Sequence, residues 1–142
     1  LYYLNQHFDR KLLMKVFRHS DVGLVTPLRD GMNLVAKEYV AAQDPTNPGV
    51  LVLSQFAGAA NELTAAVLVN PYDRDDVANA LHRALTMPLA ERIARHSEML
   101  EIVRTNDIDH WQRTFIHDLK GVTPRSAESH LQRTVATFPK LA

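Results

Sequence analysis

The stretch "VGLVTPLRDGMNLVAKEY", residues 22 to 39, decides how the chain is read. An apolar run, Val22 to Val25, passes through Thr26 and Pro27 into Arg29-Asp30-Gly31, and a helical pattern (34–43) starts almost at once. A strand that turns directly into a helix is the repeating unit of α/β folds. The same unit recurs on either side. "LYYL" (1–4) precedes a helical pattern near 9–19, "GVLVLS" (49–54) precedes the small-residue segment "FAGAANEL", and "AAVLV" (65–69) precedes "NPYDRDDVANALHRAL". The strand-like runs are short, apolar and rich in Val and Leu, as suits strands buried on both faces. The expected class is therefore α/β, a doubly wound parallel sheet flanked by helices.

Beyond residue 72 only helices are expected. Asp73 and Asp76 have the spacing of an N-cap and an N3 acid, and Val77, Leu81, Ala84 and Leu85 line one face. Pro88 suits the first turn of the next helix, with a seam of Leu89, Ile93, Leu100 and Val103. A third helix carries Ile108, Trp111, Phe115 and Leu119, and Gly121 fits its stop. From Val122 onward no periodicity remains, so a loose tail is expected. The division that follows is 1–88 for the sheet domain, 89–120 for helices packing on it, and 121–142 for the tail.

Composition narrows the function classes. The length of 142 residues fits one domain with a single core, and 46% hydrophobic against 23% charged residues excludes wholesale disorder. Sixteen Lys and Arg cancel sixteen Asp and Glu, so neither a nucleic-acid backbone nor an anionic membrane is an expected partner. Cysteine is absent, which removes disulfides, thiolate metal sites and a cysteine nucleophile. Apolar runs fall far short of the roughly 20 residues that span a bilayer, and no signal segment opens the chain, so a cytoplasmic place is expected. Of seven histidines only His110 and His117 share a helical face, with no carboxylate cluster beside them, so neither metal nor cofactor is expected. The chain opens at Leu1 inside a strand-like run, which reads as a piece of a longer protein.

Ligands of open parallel sheets bind at the carboxyl ends of strands, which directs attention to residues 26–39. Gly31 allows positive φ and close approach to the backbone. Leu34 and Val35 fall in the first helical turn, whose free N–H groups attract an anion. Glu38 lies one turn deeper, suited to the two hydroxyls of a ribose, and Asp30 at the lip suits sugar hydroxyls. That order, sugar, diphosphate, ribose, is the layout a nucleotide sugar needs. A second reading also fits. Asp-Gly is a common turn, and Glu in an early helical turn complements the helix dipole. Gly58 in "FAGAANEL" is either a second close-approach loop or a site of close helix–sheet packing. Phe8 and Leu13 either flank a base or belong to the core.

At these residues the sequence becomes specific. "DVGLVTPLRDGMNLVAKEYVA", continued by "SQFAGAANEL" and "LVNPYDRDDVANALHRALTMPLAERIARH", closely resembles the donor-site region of the trehalose-6-phosphate synthases, retaining family 20 glycosyltransferases, over roughly residues 2 to 120. The tail is most similar to enterobacterial members. The resemblance implies a Rossmann-like domain of the two-domain GT-B architecture, with UDP-glucose as donor and glucose 6-phosphate as acceptor. It implies that Asp30 binds the donor glucose, and that backbone groups of Gly31, Met32 and Asn33 touch the same sugar. By the same resemblance, amides of Leu34 and Val35 meet the diphosphate, Glu38 holds the ribose, and Phe8 and Leu13 lie at the base. No catalytic side chain is implied here. The resemblance further implies the N-terminal part of the same enzyme as a partner, and a parallel sheet cut at one side, with an apolar edge prone to self-pairing, leads to an expected homo-oligomer. A non-catalytic sensor of nucleotide sugars and a protein-interaction module stand as alternatives.

Overall fold

Five consecutive residues, Val50–Ser54, are buried on every side, which is the signature of a central strand. The computed structural model describes residues 2–121 and places this strand between two parallel neighbours. The element order is α1 (Arg10–Arg18), β1 (Val22–Val25), α2 (Leu34–Ala42), β2 (Val50–Ser54), a 3-10 turn (Gly58–Asn61), β3 (Val67–Val69), α3 (Arg74–Thr86), α4 (Leu89–Thr105) and α5 (Ile108–Gly121). The sheet runs β1-β2-β3, with Val22 opposite Val50 and Val52 opposite Val67. The α/β fold expected from the alternating pattern is the fold observed.

Period-two alternation along β2 splits the core in two. Leu51 and Leu53 face α2 and α4, packing with Ala36, Tyr39, Val40 and Met99. Val50 and Val52 face α3, packing with Val67, Val69, Ala80 and Ala84. Helices therefore cover both faces. Full burial of a Leu or Val side chain contributes about 1.5–3 kcal/mol. Polar bonds fix α4 to the same unit: Arg92 donates to the Pro48 carbonyl at 2.6 Å, Arg95 to that of Ala65 at 2.8 Å, and buried His96 bonds the Val40 carbonyl at 3.0 Å. One compact unit ends at Asn106 and a second, containing α5, begins at Asp107.

Several local expectations need correction. Tyr2, Tyr3 and Leu4 form no strand, and the two tyrosines are 96% and 85% exposed. An apolar run becomes a strand only where a partner supplies the ladder, and none pairs with it among the described residues. On α3 the buried face is Val77, Ala80 and Ala84, while Leu85 is 68% exposed. On α4 the buried residues are His96 and Met99, and Leu89 and Ile93 are exposed. Pro88 sits just before α4 as its cap, and Gly121 lies within α5. Ile108, Trp111, Phe115 and Leu119 are all exposed, with Trp111 and Phe115 stacked at 5.2 Å. Asp73 does cap α3, accepting from the amides of Asp75 and Asp76. The loose tail expected from Val122 lies outside the described residues. Among the described residues no helix is long and apolar enough to cross a membrane.

Candidate functional site

β1 stops at Val25, where Pro27 removes a ladder donor, and α2 begins nine residues later at Leu34. The loop between them organises itself around Asp30. Its Oδ1 accepts from the Met32 amide at 3.0 Å and its Oδ2 from the Asn33 side-chain amide at 2.9 Å. These two donors, the Met32 amide foremost, hold the Asp30 carboxyl below the usual carboxylate range.

Asn33 performs two further tasks. It is the N-cap of α2, its Oδ1 accepting from the Ala36 amide at 2.9 Å. It also carries φ of 74°, the left-handed conformation expected at Gly31, which has no positive φ. Asn is the residue that tolerates this region and caps a helix at the same time. The signal for it in the sequence is "MNLV", an Asn directly before the first helical residue.

With Ala36 satisfied by the cap, the amides of Leu34 and Val35 face no acceptor among the described residues. They sit at the positive end of the helix dipole, equivalent to about half a charge. Met32, Leu34 and Val35 leave their side chains exposed around them, so the cradle is open. Glu38 lies one turn along α2, half-buried and without a hydrogen-bond or ion-pair partner among the described residues. Its neighbour Lys37 is committed elsewhere, donating to both oxygens of Glu62 at 2.9 and 3.0 Å. The tilt of α2 is set by Tyr39, whose ring lies directly on Gly23 and whose hydroxyl donates to the Ser20 carbonyl at 3.1 Å. Burial pushes that hydroxyl well above the usual phenol range.

The structure thus brings Asp30 through Val35 and Glu38 to one strand-to-helix junction. Phe8 and Leu13 are both half-buried, Phe8 in the irregular segment before α1 and Leu13 on α1. No hydrogen bond or ring contact ties either to the loop among the described residues. No group of three His, Cys, Asp or Glu suited to a metal occurs among the described residues.

The glycosyltransferase family 20 model matches residues 1–121. The chain belongs to glycosyltransferase family 20. A trehalose-6-phosphate synthase of Cronobacter sakazakii is 88% identical over all 142 residues, which are 30% of that protein. A solved E. coli structure bound with UDP-2-fluoro glucose aligns with a TM-score of 0.80 and 81% identity, over 87% of this chain and 28% of the other. A Burkholderia xenovorans α,α-trehalose-phosphate synthase in complex with glucose-6-phosphate gives 0.79 and 59%, over 83% and 26%. This chain therefore spans about a third or less of the length of the family members it matches.

Proposed function

We propose that the chain is the donor-binding part of a retaining glycosyltransferase that moves glucose from UDP-glucose to glucose 6-phosphate, forming trehalose 6-phosphate. The observation that carries this is the pair of open amides at Leu34 and Val35, flanked by Asp30 on one side and Glu38 on the other. Family relatives bound with UDP-2-fluoro glucose and with glucose-6-phosphate support the choice of donor and acceptor.

In this reading the amides take the diphosphate, Glu38 the ribose hydroxyls, and Asp30 with the backbone of Gly31, Met32 and Asn33 the glucose. Phe8 and Leu13 border the base. The bond from the glucose anomeric carbon to the diphosphate breaks, and a bond to the acceptor hydroxyl forms on the same face. The acceptor proton passes to the departing phosphate oxygen. Amide donors aimed at the leaving diphosphate stabilise the charge that develops there, and no side chain of this chain acts as nucleophile. The acceptor pocket and the rest of the diphosphate clamp belong to the N-terminal part of the enzyme, in a cytoplasmic homo-oligomer.

The test uses a full-length family enzyme carrying this chain as its matching region. Supplied with UDP-glucose and glucose 6-phosphate, it should release UDP and form an α,α-linked product by NMR. UDP release without glucose transfer to the sugar phosphate, or a β-linked product, refutes the proposal.

A further inference from the structure

Three main-chain hydrogen bonds join the loop ahead of α2 to the segment after β2. The Asp30 amide donates to the Phe56 carbonyl at 3.2 Å, the Gly58 amide to that of Asp30 at 2.8 Å, and the Ala59 amide to that of Met32 at 2.6 Å. Asp30 and Ala57 pair as an isolated parallel bridge, so the sheet's pairing resumes beyond its strands. At Gly58 the two backbones meet with no room for a side chain. A Cβ there would overlap the Gly31 carbonyl oxygen and stand 2.7 Å from its carbon. A Cβ at Gly31 itself would meet nothing within 4 Å, so the constraint is one-sided.

We infer that Phe56–Ala59 is a positioning element for the sugar half of the nucleotide-sugar site, with Gly58 setting the height of the loop. The inference rests on the donor-binding reading above and deepens it. The physical reason is a division of supports. Residues 30 to 32 hang on the 56–59 backbone, whereas Leu34, Val35 and Glu38 belong to α2, which is held by Tyr39 and Val40 in the core. Lifting the Gly31 carbonyl therefore moves the glucose contacts and leaves the diphosphate and ribose contacts in place. A glycine kept only for close packing would give no such split.

The test is Gly58→Ala in the full-length enzyme, titrated by calorimetry with UDP-glucose and with UDP. The Kd for UDP-glucose should rise about tenfold while that for UDP changes less than about twofold. Val52→Ala, which opens a cavity on the opposite face of the sheet, should leave the ratio of the two affinities unchanged. Should Gly58→Ala not fold, the wild type provides the same discrimination. Amide exchange at Gly58 and Ala59 should slow with UDP-glucose and not with UDP. Equal effects of the two ligands in either experiment, or a ratio shifted as much by Val52→Ala, overturn the inference while leaving donor binding intact. A wild type that binds neither ligand overturns both.

Discussion

Replacing Asn33 separates a backbone requirement from a side-chain one. Alanine at this position loses the cap on the Ala36 amide, which costs about 1 kcal/mol. It must also hold φ of 74°, which costs a residue with a plain Cβ about 1 kcal/mol more. Asn33→Ala should therefore destabilise the start of α2 by about 2 kcal/mol. Glycine adopts positive φ without strain and as a cap is only a few tenths of a kcal/mol worse, so Asn33→Gly should cost less than half as much. Both variants release the Asn33 bond to Asp30, so both should weaken UDP-glucose binding. Native-state amide exchange across Leu34–Ala42 in the full-length enzyme reads the opening free energy directly. Equal losses in the alanine and glycine variants would show that the left-handed backbone carries no strain, and the account of the loop would fail.

Other perturbations probe the remaining parts. Glu38→Gln should weaken UDP and UDP-glucose alike by about 1–3 kcal/mol, since both contain the ribose, and unchanged calorimetric affinities would remove that assignment. Asp30→Asn should weaken UDP-glucose more than UDP. Because the folded Asp30 carboxyl is held low, the stability it contributes is present above the ordinary unfolded value near pH 4 and is lost as pH falls through the lowered folded value. Acid melts of wild type and Asp30→Asn that lose stability in parallel below about pH 4 would contradict this. Tyr39→Phe leaves the Ser20 carbonyl unpaired and should cost about 1–2 kcal/mol near neutrality. The folded Tyr39 hydroxyl lies above the unfolded value near 10, so the stability it confers is complete below that pH and lost above it. The phenylalanine variant should show a shallower alkaline loss in thermal melts, and an identical slope would refute the point. The 142-residue chain alone, spanning 30% of its relative's length, should form no trehalose 6-phosphate, and detectable product from it would overturn the division of the site.

The central strand and the helix order were legible because burial on both faces leaves an uninterrupted Val and Leu record in the sequence. The run "LYYL" leaves the same local record but finds no partner, and pairing is a property of the sheet, not of the run. The helix faces slipped for a related reason. Ala80, Ala84 and His96 are buried because their neighbours approach closely, whereas Leu85 and Leu89 look more apolar and stay exposed. In the loop, Asp30, Leu34, Val35 and Glu38 could be ordered from spacing alone, since a helix fixes what lies one turn away. The seat beneath Asp30 and Met32 could not be. It consists of main-chain groups of Phe56, Gly58 and Ala59, some 26 residues further on. Only Gly58 hinted at it, and a glycine does not say whose backbone approaches.

The Glu62 carboxylate of the Lys37–Glu62 pair also serves α4. Asn106, the residue that closes α4, donates to Glu62 at 2.9 Å, so the end of that helix is tied to α2 through one carboxylate. Lys37 is adjacent to Glu38, and Asn106 is adjacent to Asp107, where the next unit of chain begins. A pull on the polypeptide at that junction therefore bears on the Glu62 carboxylate that Asn106 and Lys37 share. A force-extension experiment should find this link yielding before the sheet, with α2 loosening beside Glu38, and a sheet that opens first would contradict it. The junction is thus connected, through one carboxylate, to the helix whose amino end forms the cradle.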